Sequence, residues 1–226
     1  MSTLAERAAS QFLAALTPAD ADSLVRRGTI RTFSRGQALM HEGQIPDRVL
    51  VVRSGRVKVY STTPTGKEVV LAVRGPGELV GELSALDQEP RSASIVALDR
   101  VEAVVLSSTE FRRFLLENPR VALWLLGMLS RRLRDADAKR VEYSTLPTLG
   151  RVAKRIVEIA EQWGETKGDV IEVDLPISQE DLAGWTGSSL ESVGRALQTM
   201  RGFGWITTQR REIRVLDLEA IRRAAD

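Results

Sequence analysis

The sequence predicts an α+β fold in which a strand-rich N-terminal half and a mostly helical C-terminal half are joined by one long helix. Three observations predict it. Short apolar runs punctuated by turn signals fill the stretch from Ile30 to Leu106; a helical period then runs from Asn118 to about Tyr143; and beyond Leu146-Pro147-Thr148-Leu149-Gly150 a compact helical pair is followed by a two-strand pattern. The boundaries this implies are 1–117, 118–146 and 147–226. At 226 residues the chain is long enough for each part to bury its own core.

Residues 3–27 read as two short helices, the second opened by Thr17-Pro18-Ala19-Asp20, with a capping hydroxyl, a first-turn proline and an acid three residues on. Strands follow at VLVV (49–52), VKVY (57–60), EVVLAV (68–73), SIVAL (94–98) and VEAVVL (101–106), separated by Gly-containing turns. Many short strands at this spacing suggest an antiparallel barrel or jelly roll. A helix from Ser108 to Leu116 precedes the long one, for which Asn118 and Pro119 supply a cap and a first-turn proline. At 1.5 Å per residue the long helix extends roughly 40 Å, too far for one small barrel to cover. Its stripe of Val121, Trp124, Leu125, Met128, Leu129 and Leu133 suits either a dimer seam or an intramolecular core. Proline at 147 breaks it, by removing a donor and restricting its predecessor. A helix (151–163), a loop (164–169) and a strand (171–175) lead into the helical pair.

Composition removes several function classes. With no cysteine there is no disulfide framework, thiolate zinc site, cysteine-held iron–sulfur cluster or cysteine nucleophile, and the single histidine, His41, leaves little for a metal, a haem or acid–base catalysis near neutral pH. An enzyme is not expected. No run approaches 18 apolar residues and the first residues lack the pattern of a signal peptide, so no membrane role and a cytoplasmic location are expected. The net charge of +2 decides nothing about partners.

Ser178-Gln179-Glu180-Asp181 is a capping signature for a helix reaching Trp185. Thr186-Gly187-Ser188 turns the chain, and Ser189 caps a second helix whose Val193, Leu197 and Met200 share one face. Leu190, Glu191 and Arg195 lie nearer the other. Two helices joined by a Gly-containing turn describe either a helix-turn-helix, with a second helix able to present its first residues to base edges in a major groove, or an ordinary helical hairpin whose outer face is only solvated. The strands around Gln209-Arg210-Arg211 form a wing whose Arg210 and Arg211 suit phosphate contacts. Residues 147–226 hold 11 Lys and Arg against 13 Asp and Glu, so basic side chains must be concentrated locally for double-stranded DNA to bind.

The segment GPGELVGELSALDQEPRSAS (75–94) has the parts of a phosphate cradle: glycines, a short helix start, the carboxylate of a Gly-Glu-Leu step and a single arginine followed by hydroxyls. Together with RGQALMHEGQIPDRVLVVRSGRVKVY, the SRRL of the long helix (130–133), GRVAKRI (150–156) and SQEDLAGWTGSSLESVGRAL (178–197), it makes the chain resemble the Crp/Fnr family of bacterial transcription regulators over nearly its whole length. The resemblance implies a cyclic-nucleotide-binding jelly roll, a long dimerisation helix and a winged helix-turn-helix that reads a palindromic operator as a homodimer.

On that resemblance Gly81 and Glu82, with the adjacent Leu83, match ribose contacts, Arg91 and Ser92 cyclic-phosphate contacts, and Arg132 a supporting arginine. Where the family's cAMP sensor has threonine then serine on the long helix, this chain has Ala136 and Asp137; Asp137 can accept from an adenine amino group or favour the donor edge of guanine. The implied effector is cAMP, with cGMP, or no effector at all, as alternatives; the cysteine-dependent oxygen-sensing branch is excluded and the haem branch is disfavoured. In the second helix Glu191 and Arg195 match base-reading positions, Leu190 replaces an arginine, and Gln179, Ser188 and Ser189 are candidate backbone contacts. RNA polymerase is a further implied partner, through the loop Trp163–Gly168. A nucleotide-responsive interaction module without its own operator is the alternative from another class.

Overall fold

In a computed structural model, residues 11–174, 176–209 and 212–225 are described. Their contacts divide the chain into two compact units: residues up to 65 with 71–134, and 66–70 with residues from 135 onward.

The first unit opens with a 3₁₀ turn, Leu13–Ala15, and α1, Pro18–Arg27. Here the capping box is complete: the Asp20 N–H donates to Thr17 Oγ1 at 3.2 Å, and the Thr17 N–H to Asp20 Oδ2 at 3.1 Å. Of the two helices expected over 3–27, the second forms; the first falls mostly on residues 3–10, which lie outside the described residues, and the described part beyond them holds the 3₁₀ turn. Eight strands follow, β1 (Thr29–Phe33), β2 (Ala38–Met40), β3 (Arg48–Ser54), β4 (Val57–Thr62), β5 (Glu68–Arg74), β6 (Leu79–Val80), β7 (Ser94–Ala97) and β8 (Val101–Ser107), with α2 (Glu82–Asp87) between β6 and β7. They form two four-stranded sheets, ordered β1-β8-β3-β6 and β2-β7-β4-β5.

The unbroken apolar run at 49–52 has a physical reason. Alternate residues of a strand face opposite sides: Val49 and Val51 pack against Phe111, Phe114 and Leu125 of the helices, while Leu50 and Val52 face the strand interior with Met40, Val80 and Ile95. A strand buried on both faces shows no alternation.

After α3 (Ser108–Glu117) the chain enters α4 (Pro119–Thr145). The Asn118 amide donates back to the Phe114 carbonyl at 2.8 Å, serving the end of α3 where a cap for α4 was expected. Of the apolar stripe, Val121, Leu125 and Met128 are buried in the core of the first unit with Trp124 and Leu129 packed against it, and Leu133 is exposed; Leu123 and Leu126, outside the stripe, are exposed as well. A helix carrying apolar residues on two faces serves its own core with one and leaves the other open.

In the second unit the helical break is narrower than Leu146–Gly150. Leu146 still donates to the Glu142 carbonyl at 3.0 Å, Pro147 sits at the N-cap, and α5 spans Thr148–Trp163. The expected loop at 164–169 contains a strand, β9 (Glu165–Lys167), paired with β10 (Val170–Asp174) because Gly168, at φ +61°, allows the tight turn between them. Helices α6 (Gln179–Thr186) and α7 (Leu190–Gly202), strands β11 (Ile206–Gln209) and β12 (Glu212–Val215), and α8 (Leu218–Ala225) complete the unit. Its sheet runs β11-β12-β10-β9, so the wing is part of a four-stranded sheet. Among the described residues no helix is long and apolar enough to cross a membrane.

Candidate functional site

Two surfaces carry the chemistry, one in each unit. In the first, β6 delivers Gly81 in the left-handed region at φ +81° and α2 begins at Glu82. A Cβ on Gly81 would stand 2.6 Å from Met40 Cε, 2.8 Å from Met40 Sδ and 2.9 Å from Arg91 Nη1, so both the backbone angle and the space demand glycine. Arg91 is 4% exposed and held by four partners: Nη1 donates to the Gly81 carbonyl at 2.8 Å and to Ser84 Oγ at 3.0 Å, and Nη2 to the Arg48 carbonyl at 2.5 Å and Asp47 Oδ1 at 3.3 Å. Burial pulls the Arg91 guanidinium below its ordinary pKa, and the facing Asp47 carboxylate opposes that pull.

Glu82 is buried, and Arg132 reaches it from α4, donating through Nη1 to the carboxylate and through Nη2 to the Leu79 carbonyl at 3.1 Å. Burial, then the nearby Arg74 charge, lowers the Arg132 pKa, while Glu82 raises it. Gly81, Glu82, Arg91 and Arg132 are thus brought together by side chains that touch or bond one another's neighbours. Leu83 and Ser92 are exposed close by in sequence. Ala136 and Asp137 belong to the second unit; both are exposed, and Asp137 has a loose ion pair with Arg140 at 4.0 Å.

Ser84, Asp47 and Met40 were not singled out from the sequence. Ser84 lies inside the glycine-rich segment and its small hydroxyl two residues after Glu82 was a visible signal. Asp47, just before β3, and Met40, on β2, reach Arg91 and Gly81 from distant parts of the chain, and no local pattern announces that.

In the second unit, Ser178 and Asp181 form a reciprocal capping box, with both N–H to oxygen distances at 3.0 Å, and Gly187 at φ +59° ends α6. Ser189 caps α7, accepting from the Ser192 N–H at 3.1 Å. Val193, Ala196, Leu197 and Met200 are buried beneath α7. On its outer side Leu190 is 46% exposed, and Glu191 and Arg195 form an exposed ion pair one helical turn apart, with Arg195 Nη2 also on Ser192 Oγ at 3.2 Å. Gln179 and Ser189 are exposed. Ser188 is not: it is buried, its N–H donates to the Ala183 carbonyl at 3.0 Å, and its hydroxyl accepts from Arg151 at 3.1 Å and donates toward the Thr186 carbonyl at 3.3 Å. With donor and acceptor both engaged, Ser188 drops out as a backbone contact and becomes part of the turn's internal packing. Arg210 and Arg211 lie outside the described residues.

Comparison with known proteins decides what these surfaces belong to. A family model described as a cyclic nucleotide-binding domain matches residues 30–118, and one described as a Crp-like helix-turn-helix domain matches residues 150–224. The CRP-like cAMP-activated global transcriptional regulator of Mycobacterium tuberculosis is 32% identical over 193 residues, covering 85% of this chain and 86% of that protein. The chain belongs to the Crp/Fnr family of transcription regulators. The cyclic AMP receptor protein of Thermus thermophilus is similar to the same extent, 32% identical over 82% of each chain. Among solved structures, a CRP-family transcriptional regulator from Thermus thermophilus superposes with a TM-score of 0.73 at 26% identity, covering 86% of this chain and 96% of that one. FixK2 from Bradyrhizobium japonicum shares the fold, with a TM-score of 0.77 at 20% identity over 88% of this chain and 98% of that one. The protein is therefore a DNA-binding regulator of this family, carrying a cyclic-nucleotide-binding domain.

Proposed function

We propose that this regulator is a homodimer controlled by cAMP, with residues 1–117 as effector domain, 118–146 as dimerisation helix and hinge, and 147–226 as the domain that reads a palindromic operator in the cytoplasm. The observation that carries the effector assignment is the buried Arg91, fixed by four bonds beside Gly81 and the Glu82–Arg132 pair.

Arg91 supplies a fixed charge and hydrogen-bond donors to the exocyclic oxygens of a cyclic phosphate. Its Nε is the donor none of the four bonds uses, and the Asp47 bond, the longest of the four, is the one a phosphate displaces most readily. Glu82 accepts from a ribose hydroxyl, and the Arg132 hydrogen bond holds that carboxylate oriented. Ser92 and Leu83 complete the ribose-phosphate side; Ala136 and Asp137 are assigned to the base. The two relatives at 32% identity both carry cAMP in their names, which favours it over cGMP.

The exposed Leu123, Leu126 and Leu133 give α4 an apolar face suited to a second copy. On DNA, Glu191 accepts from a cytosine amino group and Arg195 donates to guanine once their mutual pair opens, while Leu190 packs on a thymine methyl. Gln179, Ser189, Arg210 and Arg211 are assigned to phosphates. A ligand shifts such a regulator only by binding its two orientations unequally. The test is selection of a duplex from a random pool followed by affinity measurement with and without cAMP. A palindromic sequence bound more tightly with cAMP is expected; no selected sequence, or one bound equally in both conditions, contradicts the proposal.

A further inference from the structure

The joint between α4 and α5 carries buried charges that neither surface uses. Arg155, on α5, is 2% exposed, yet its Nη2 meets two carboxylates, Glu142 Oε2 at 2.7 Å and Glu158 Oε1 at 2.8 Å. Lys154 Nζ reaches the other oxygen of Glu142 at 3.2 Å. Glu142 lies in the last turn of α4 and is buried, while Arg155, Lys154 and Glu158 lie on α5, so the cluster spans the Leu146–Pro147 break. Two further contacts cross the same joint: Tyr143 Oη donates to the Trp185 carbonyl at 3.1 Å, and the Lys139 ammonium stands 5.8 Å from the Trp185 ring centroid. Both tie α4 to α6, the first helix of the DNA-reading pair.

A joint that needed only cohesion has a simpler solution. Replacing a buried ion pair by apolar residues of similar volume is often neutral or stabilising, because taking both charges out of water is costly; removing one partner alone is strongly destabilising. The buried pair therefore tolerates few geometries. An apolar contact slides, whereas Arg155 must stay within about 3 Å of Glu142 or leave a charge uncompensated.

We infer that the Glu142–Arg155 pair is a latch across the Leu146–Pro147 joint, selecting one orientation of the winged helix-turn-helix on the end of α4. The inference rests on the reading above, in which an effector shifts the protein between two such orientations. Glu142 and Arg155 are then positioning residues for DNA binding, acting through the joint and not among the residues assigned to DNA or effector.

The test is the full-length double variant Glu142→Leu/Arg155→Met, which removes both charges together, beside Glu142→Gln. The first readout is hydrogen exchange of the backbone amides of residues 143–151, and it needs no effector. Exchange faster by about tenfold or more, with exchange in β3 and β8 unchanged, is expected when a latch is opened. The second is the ratio of operator affinities with and without cAMP, expected to change by about fivefold or more; its direction tells which orientation the latch holds. Unaltered exchange over 143–151, or a lowered melting temperature with an unaltered affinity ratio, overturns the latch. If the wild-type protein itself shows no cAMP effect on the operator, the effector reading fails, and hydrogen exchange alone then decides the latch.

Discussion

Substituting Gly81 by alanine tests the cradle at its tightest point. A non-glycine residue at φ +81° costs about 1–2 kcal/mol in backbone strain. The new methyl would also stand 2.6 Å from Met40 Cε and 2.9 Å from Arg91 Nη1. Met40 is buried in the strand core and Arg91 is fixed by four bonds, so neither gives way freely and overpacking adds about 1–3 kcal/mol. Gly81→Ala is expected to lose about 2–5 kcal/mol of stability in total. Urea unfolding followed by far-ultraviolet circular dichroism measures it, with Met40→Ala and the double variant closing a cycle. The double variant should recover part of the loss, because the Met40 clash is gone while the backbone strain remains. A Gly81→Ala loss below about 1 kcal/mol, or strict additivity with Met40→Ala, would refute the reasoning that this glycine is demanded by both angle and space.

Leu190→Arg should change the selected half-site to one with guanine at the facing position, with about 1–3 kcal/mol of discrimination, measured by repeating the duplex selection; an unchanged consensus would show that Leu190 does not face a base. The Asp20 carboxyl lies below its ordinary pKa, chiefly through the Thr17 side chain and backbone N–H and then Arg120. Its contribution is therefore complete above the unfolded carboxylate pKa near 4 and lost as pH falls through the lower folded value. Asp20→Asn should flatten the acid limb of a melting-temperature profile below about pH 4 while leaving the slope above pH 6 intact, and an acid limb identical to wild type would contradict that.

Local hydrogen-bond chemistry was the most legible part of the fold. Thr17 with Asp20, Ser178 with Asp181, and Ser189 each cap the helix their spacing announces, because a cap is decided within four residues of sequence. Asn118 misleads for the same reason. It lies between two helices, and only the three-dimensional structure decides which of them its amide serves. The α4 stripe was legible as apolar, but the exposed apolar residues beside it, Leu123 and Leu126, were not, since Val121 and Leu123 differ in their surroundings and not in their apolar character. At the site, the composition of the glycine-rich segment marks a phosphate cradle, while Gly81, Glu82 and Arg91 are assigned within it only by the family resemblance, since Gly-Glu-Leu occurs at both 77–79 and 81–83. Two of the partners that fix Arg91, the Arg48 carbonyl at the start of β3 and Asp47 just before it, lie more than forty residues away. Ser188 shows the opposite error: a hydroxyl in a turn looks available until Arg151 is found bonded to it.

The central claim is that Arg91 anchors a cyclic nucleotide in the barrel, and a calorimetric titration of the purified protein with cAMP and then cGMP tests it most directly, with Arg91→Ala as the paired variant. Each charge-assisted bond to phosphate is worth about 1.5–3 kcal/mol, so loss of two should weaken binding by at least about a hundredfold. Saturable binding of cAMP, weaker binding of cGMP and loss of both in Arg91→Ala are predicted. Absence of heat with either nucleotide, or equal affinity in Arg91→Ala with its melting temperature preserved, would contradict the account.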